Sequence, residues 1–385
     1  MFQSFEVTSR PEQGPPRLAA LRNEIKAEGL DGFLVPRADV HQGEYVAPHD
    51  ERLQWLTGFT GSAGFCAALV GAAGVFIDGR YRTQVKTQIA DVYTPVAWPE
   101  VSLAEWLREQ LPQGGIVGFD PWLHAAAQIE QLNGALEGSD IEMRRCDNLV
   151  DRIWKDQPAP PVQIAKVHPI EFAGESHADK AARLGKSLRD CGAAAAVITL
   201  PDSLCWLLNI RGADIARNPV MHGFVVLHGS GNVDLFADPA KVGQLKPHLG
   251  STVTLHAPEA LLDYVQTLAG PVRLDKATVP VAIADVIANR VTWGDDPCAL
   301  PKACKNAAEV AGSAAAHLRD GAALVELLAW LDQQPTGTVT ETQVVSRLED
   351  FRRRDNALQD ISFETIAGTG PNGAIMHYRV TKDTD

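Results

Sequence analysis

The sequence lacks the features that would place a protein in a membrane or in an oxidising compartment. No stretch approaches the roughly eighteen consecutive apolar residues of a transmembrane helix. The N-terminal segment MFQSFEVTSRPEQGPP has neither the basic nor the apolar region of a secretory signal. The six cysteines form no CxxC pair, and the closest two, Cys298 and Cys304, have no histidine cluster beside them, which disfavours a zinc site. We therefore expect free thiols and a cytoplasmic protein.

Positive charge is also scarce. The chain has 35 lysines and arginines against 48 aspartates and glutamates, which gives a formal net charge of −13. Such a chain repels nucleic acid and anionic membranes, so neither is expected as a partner. Hydrophobic residues make up 45% and charged residues 22% of the 385 positions, as in folded globular proteins. The length exceeds one ordinary core and predicts two or three domains.

Several catalytic and cofactor motifs are missing as well. The sequence contains no G-x-S-x-G nucleophile elbow and no H-E-x-x-H metal helix. Gly368, Gly370 and Gly373 match the spacing of a dinucleotide fingerprint, but the residues after them are β-like, whereas the fingerprint needs a helix to open at its third glycine. These glycines are therefore interpreted as a turn.

An internal repeat with a period of about 160 residues organises the first three quarters of the chain. In residues 17–36, Leu18, Leu21 and Ile25 fall on one helical face, a glycine ends the helix and an apolar strand follows. Residues 180–200 repeat this design. RLQWLTGF and GFCAALVGAAGVFID are then echoed, in the same order, by SLCWLLNI and GFVVLHGSGNVDLFA. We infer two copies of one domain.

Each copy predicts an α/β fold, with helices packed on a central sheet that is at least partly parallel. The proline-rich KDQPAPPVQIAKVHP cannot hold a regular helix or a central strand, so it predicts a linker. We expect residues 1–155 and 171–300 to be the two copies, 156–170 to be the linker, and 301–385 to begin a third unit.

The third unit has a different pattern of predicted elements, with long helices in place of the alternating helices and strands. A long helical stretch is predicted to be interrupted at Gly321 and ended by Pro335. Thr340 is the predicted N-cap of a second helix. DISFETIAG and AIMHYRV then predict two strands joined by the GTGPNG turn. This content is too small for an independent domain, so the unit is expected to be cut short.

His377 is the candidate catalytic residue of that last segment. A histidine at the start of a strand and braced by a glycine turn can present its imidazole to a cleft and shuttle a proton near neutral pH. A lone histidine in a strand is otherwise packed or surface exposed. The residues alone leave both interpretations open.

Two other clusters of polar residues are interpreted as parts of loops or turns rather than as catalytic or metal sites. His41, Glu44, His49, Asp50 and Glu51 lie close together, but their spacing matches no metal helix and Pro48 breaks the segment, so a solvated loop is favoured over a metal site.

In FIDGRYR, Asp78 and Arg80 predict a turn and a helix start. The alternative, which stays open, is that they face a neighbouring active site.

Several segments together resemble one family: HQGEY, ERLQWLTGFTGSAG, FIDGRY, the helix from KNAAEVAG through HLRDGAALVELLAWL, and SFETIAGTGPNGAIMHYRV. The resemblance is to the three-domain form of aminopeptidase P, the Xaa-Pro aminopeptidases of the pita-bread metallopeptidase family M24, and it runs through essentially the whole chain. It implies two tandem creatinase-N-terminal-like α/β domains followed by the beginning of a pita-bread α+β domain. That architecture agrees with the repeat.

The resemblance also implies a site and its cofactors. In that family the histidine of the HY step binds substrate and assists proton transfer, and it corresponds to His377. Two divalent metal ions, commonly Mn²⁺, are held by carboxylates and a histidine that would all follow the position of Asp385. Asp383 and Asp385 fall in the loop before them. We therefore expect no metal ligand within this chain, no metal bound at the catalytic site, and no activity of the chain alone.

The resemblance further implies a homodimer and peptide substrates with proline at the second position. Two alternatives remain open at this point. A non-catalytic pita-bread protein that binds peptides or histones would share every visible feature, and a pita-bread hydrolase of creatine-like amidino compounds is disfavoured because such enzymes usually carry one N-terminal domain.

Overall fold

The computed structural model describes residues 1–384, and its N-terminal unit is built on a mixed six-stranded sheet. The strands β1 to β6 are Gly32–Pro36, Phe65–Leu69, Ala73–Ile77, Thr94–Ala97, Gly115–Phe119 and Ile141–Arg145, in the spatial order β4-β3-β2-β1-β5-β6. The helices α1 to α6 are Gly14–Ala27, Arg52–Thr57, Val85–Gln88, Leu103–Gln110, Ala126–Leu136 and Leu149–Ile153. Strand β2 pairs antiparallel with β1 and β3, whereas the outer pairs are parallel.

The second unit repeats this topology in a second six-stranded sheet and adds a small two-stranded sheet, formed by its first and third strands. Its strands β7 to β14 are Lys166–Val167, Ala195–Ile198, Ile210–Arg211, Phe224–His228, Val233–Phe236, Val253–His256, Val272–Leu274 and Val291–Trp293. Its helices α7 to α13 are Ile170–Ala173, His177–Asp190, Pro201–Leu207, Pro239–Val242, Lys246–Leu249, Leu261–Thr267 and Val281–Ile287. The sheet order β12-β11-β10-β8-β13-β14 has the same sequence of parallel and antiparallel pairs as the first sheet. The predicted duplication and fold class are confirmed.

Both sheets bury apolar side chains on two faces. Leu18, Leu21 and Ile25 of α1 pack on one face of the first sheet, and a second cluster lies on its other face under α4 and α5. The matching face of α8 is buried against the second sheet. Gly29 has a φ of +65°, which closes α1 at the point where the sequence predicts its end.

The helix whose start is predicted at Asp78 and Arg80, and which the sequence YRTQVKTQIA would continue, is much shorter in the structure. Only a 3₁₀ turn at Gly79–Tyr81 and the single turn of α3 form there. The chain at this place is held by side-chain contacts of Asp78 and Tyr81 rather than by a continuous ladder of helical hydrogen bonds.

The third unit consists of α14 (Ala299–Ala303), α15 (Ala307–Asp332) and α16 (Glu341–Arg352), followed by an irregular segment. Ala323 and Leu327 of α15 pack on Leu348 and Phe351 of α16. The side chain of Thr340 accepts a hydrogen bond from the amide of Gln343, which confirms it as the N-cap of α16.

Two predictions for this unit are wrong. Helix α15 continues through Gly321, because a single glycine costs only about 1 kcal/mol relative to alanine and the rest of a 26-residue helix supports it. The hairpin over residues 360–380 does not form: the described part of this segment contains no strand, only a 3₁₀ turn at Gly370–Ala374. A two-stranded hairpin is marginal without further strands, and side-chain hydrogen bonds hold this segment instead.

Within residues 1–384 no helix is both long enough and apolar enough to cross a bilayer. All six cysteines are free, as the sequence predicts.

Candidate functional site

His377 lies in a tight turn against the first unit and not at the start of a strand, so the prediction about its backbone is wrong. Its φ is +51°, a left-handed conformation that histidine tolerates better than most non-glycine residues. The amide of Tyr378 donates to the carbonyl oxygen of Ile375 at 3.2 Å, which closes the turn. The imidazole is exposed, and its ring lies 5.9 Å from the ring of Tyr81 at an interplanar angle of 28°.

Glu341, the first residue of α16, holds this turn in place by accepting hydrogen bonds from the segment around it. This carboxylate is 6% exposed and accepts hydrogen bonds from the Thr369 amide at 2.6 Å, the Tyr378 hydroxyl at 2.6 Å and the Asn372 side-chain amide at 3.1 Å. Three donors on one buried carboxylate fix its charge in place and fix the segment that supplies them. Glu341 therefore positions the backbone that presents His377.

The first unit supplies the wall opposite the imidazole. Asp78 caps the turn before Tyr81 by accepting from the Arg80 amide at 2.9 Å, as the sequence predicts for a turn and helix start. The Arg80 guanidinium also donates to both Asp78 carboxylate oxygens, and this pairing lowers the pKa of Asp78, with a smaller contribution from nearby His377. The same pairing raises the pKa of Arg80. The structure thus places the 78–81 turn directly beside His377.

Tyr81 links this wall to the interior of the first unit. Its side chain is buried, and its hydroxyl oxygen lies 2.5 Å from Ser62 Oγ and accepts from the Ser62 amide at 3.1 Å. The carbonyl oxygen of Ser62 in turn accepts from the guanidinium of Arg37 at 3.1 Å. Hydrogen bonds therefore connect Arg37 through Ser62 to Tyr81, whose ring lies against the imidazole of His377.

The loop with the clustered histidines and acids is only partly solvated, which corrects the prediction. His41 is buried between the two N-terminal units: Nδ1 donates to the Thr199 carbonyl oxygen at 3.1 Å, and its ring packs on His222 and Phe224. Burial lowers the pKa of His41 to about 4.

Asp50 of the same loop is also buried and accepts from Arg52 at 2.9 Å, and burial raises its pKa. Glu44 and His49 remain toward the surface. The sequence missed the burial of His41 because the residues that cover it, Thr199 and Phe224, belong to the neighbouring unit. It missed that of Asp50 because its partner Arg52, although close in sequence, is itself held by the distant Asp151.

The residues around His377 do not fit a metal pair. Within residues 1–384 no three histidine, cysteine or carboxylate side chains lie close enough together to hold a metal ion. The carboxylate of Asp78, beside His377, is already paired with Arg80. Asp383 is exposed, and Asp385 lies outside the described residues. No step of chemistry through a metal can be derived from these side chains.

Comparison with known families defines the class of the chain. Residues 17–153 and 156–309 each match the Creatinase/Prolidase N-terminal domain, and residues 303–385 match metallopeptidase family M24. The chain therefore belongs to the M24 metallopeptidases that carry two creatinase-type N-terminal domains.

Its relatives narrow the class further. The chain is 36% identical over 399 residues to a probable Xaa-Pro aminopeptidase P of Coccidioides posadasii, and 34% identical over 391 residues to one of Aspergillus niger. Its fold is similar to that of X-prolyl aminopeptidase from Caenorhabditis elegans, described as a cytosolic enzyme with a di-nuclear active site, with a TM-score of 0.90 and 28% identity. These alignments cover 98%, 95% and 95% of this chain but 61%, 63% and 64% of the relatives, so the chain spans about three fifths of their length.

Sequence reasoning missed two residues that shape this site. Glu341 follows the predicted N-cap and was interpretable only as an acidic residue in a first helical turn. Tyr81 stands in the quoted FIDGRY segment, but nothing local indicates that its ring lies on His377.

Proposed function

We propose that this chain is part of a metal-dependent Xaa-Pro aminopeptidase, which removes the N-terminal residue from peptides whose second residue is proline. The observation that carries the proposal is the similarity over nearly the whole chain to Xaa-Pro aminopeptidases, in sequence and in fold. The exposed imidazole of His377, held in a constrained turn, supports a role in substrate binding and proton transfer.

The cofactors belong to the same proposal. Two divalent metal ions, with Mn²⁺ as the expected pair, would be held by residues other than the described ones, and they would supply activated water as nucleophile. The side chains of this chain would orient the substrate: His377 would hold or move a proton at the scissile bond, and the 78–81 turn would limit where the substrate lies. A prolyl nitrogen carries no N–H, so a dedicated pocket is required for its ring.

The 385-residue chain is proposed to be inactive alone, because it offers no metal ligand set in its described part. An exposed apolar stripe on α15, formed by Val310, Leu318, Val325 and Leu328, supports the packing of further protein against this helix. A homodimer, a cytoplasmic location, and the absence of nucleic-acid or membrane partners complete the proposal.

The domain boundaries at 155, 170 and 300 also remain a proposal. Two separate six-stranded sheets and the irregular backbone of residues 156–165 support it. Limited proteolysis should therefore cut first within residues 156–165 and leave the two sheets intact.

Turnover assays on the whole protein test the function. With Mn²⁺, release of the first residue from Ala-Pro-Ala-Ala should exceed release from Ala-Ala-Ala-Ala by at least about 100-fold. The 385-residue chain should release neither. Peptide binding without turnover by the whole protein would contradict the proposal and favour the non-catalytic alternative, and robust turnover by the 385-residue chain would show that a metal site has been overlooked.

A further inference from the structure

A cavity of about 710 Å³ opens in the first unit, between the loop after β1 and the helices α4 and α5. Its volume falls within the range of ordinary ligand pockets. Most of its wall is apolar and comes from separate elements, including Leu34, Phe65, Trp98, Leu103 and Leu132. Trp98 is 38% exposed, so the wall offers apolar surface that the described residues do not cover. An apolar group entering the cavity would therefore be removed from water.

Two polar side chains in the wall have hydrogen-bonding capacity to spare. Nδ1 of His124 donates to the Asp120 carbonyl oxygen at 3.0 Å, and burial lowers the pKa of His124 to about 4, so the neutral ring keeps Nε2 as an acceptor. Oε1 of Gln128 accepts from the Ala125 amide at 3.0 Å, which leaves its NH₂ group as a donor. Within residues 1–384 neither spare group has a protein partner. One acceptor and one donor match the N–H and C=O groups of a peptide backbone.

The mouth of the cavity adjoins the His377 site. Arg37, Glu44 and Ser62 line the cavity, and Ser62 is hydrogen-bonded to Tyr81, whose ring lies on the imidazole of His377. The Ser62 hydroxyl lies 2.5 Å from the Tyr81 hydroxyl, and the Tyr81 and His377 ring centroids are 5.9 Å apart. Across the tyrosine ring these contacts span roughly the length of three extended residues, at about 3.3–3.6 Å each. A peptide held at His377 by its first two residues can therefore place its fourth residue at the mouth.

We propose that this cavity binds a bulky apolar side chain at the fourth position of the peptide substrate, so that the first unit selects peptides by a residue beyond the proline. The proposal rests on the proposed function for the position of the first two residues. The apolar walls would take the side chain, and the spare groups of His124 and Gln128 would hold the adjacent backbone.

Calorimetric titration of the 385-residue chain, which needs no turnover, tests the cavity. Ala-Pro-Ala-Phe-Ala should bind at least tenfold more tightly than Ala-Pro-Ala-Ala-Ala. Ala135→Trp, at an exposed position that lines the cavity, should remove this difference by filling it. Ala27→Trp, at another exposed alanine, on α1 and outside the cavity, should leave it unchanged. Gln128→Glu keeps the Oε1 acceptor for the Ala125 amide but removes the donor, so it should weaken binding of the phenylalanine peptide several-fold.

The outcomes separate this inference from the proposed function. Equal affinities for the two peptides, no detectable binding of either, or a phenylalanine preference that survives Ala135→Trp would each overturn the cavity assignment, even if the whole protein cleaves Xaa-Pro peptides. A phenylalanine preference that Ala135→Trp abolishes supports the cavity. If that preference occurs while the whole protein cleaves no Xaa-Pro peptide, the proposed function fails and the cavity stands as a peptide site.

Discussion

Replacing Glu341 with alanine should loosen the turn that carries His377. The substitution removes the common acceptor of Thr369, Asn372 and Tyr378. A buried donor left without a partner costs about 1–3 kcal/mol. Two of the three donors keep another acceptor, because Asn372 also donates to the Thr384 carbonyl oxygen at 3.1 Å and the Tyr378 hydroxyl to Thr384 Oγ1 at 2.7 Å. The turn should therefore lose about 3 kcal/mol of local stability, near the cost of one backbone amide left without an acceptor and two weakened hydrogen bonds.

Hydrogen exchange of residues 364–384, followed by mass spectrometry, measures this loss locally. Since about 1.4 kcal/mol corresponds to a factor of ten, opening of the turn should become roughly 100-fold more frequent in Glu341→Ala. Glu326→Ala, which removes an exposed ion pair with Arg354, is the matched control and should change exchange by less than about fivefold. Unchanged exchange in Glu341→Ala would refute the anchoring role assigned to this carboxylate.

Three further predictions concern the N-terminal units and the thiols. Burial lowers the pKa of His41 in the folded protein to about 4, below the ordinary value of about 6.5, so the unfolded chain binds a proton that the folded chain does not. The free energy of unfolding should therefore fall by up to about 3 kcal/mol as the pH drops from about 6.5 to 4. Thermal melts at several pH values should show a weaker pH dependence in His41→Phe, and an unaltered dependence would contradict this assignment. Ellman's reagent should modify the exposed Cys191 and Cys304 quickly and the buried Cys66, Cys205 and Cys298 slowly, so fast reaction of any of these three would be inconsistent with the packing. Leu21 and Leu184 occupy matching buried positions of the repeat. Replacing either with alanine should lower the free energy of unfolding by about 3 kcal/mol in urea titrations. A loss below about 1 kcal/mol at either position would show that the core around that residue is not packed as described.

Local patterns in the sequence predicted the regular elements well. The apolar faces of α1 and α8 and the cap at Thr340 depend on residues a few positions apart, and all appear in the structure. The repeat was recognisable because both copies keep the same order of helix, strand and turn. Local information is sufficient for such features.

The errors arise where distant residues decide the outcome. His41 is buried because Thr199 and Phe224 of the second unit cover it, and nothing near position 41 indicates this. The β-like residues after Gly373 form no strand, since a strand needs pairing partners and Glu341 offers this segment side-chain hydrogen bonds instead. The contact between Tyr81 and His377 joins residues almost 300 positions apart, so only the structure reveals it.

The central claim is that His377 is a catalytic group for cleavage of Xaa-Pro bonds. The most direct test is the kcat of the whole protein with Mn²⁺ and Ala-Pro-Ala-Ala, measured for the wild type and for His377→Ala. Loss of a positioned proton-transfer group typically lowers the rate by about 10²–10⁴-fold, so kcat should fall by that factor while KM changes much less. A His377→Ala enzyme that retains the wild-type kcat would contradict the account.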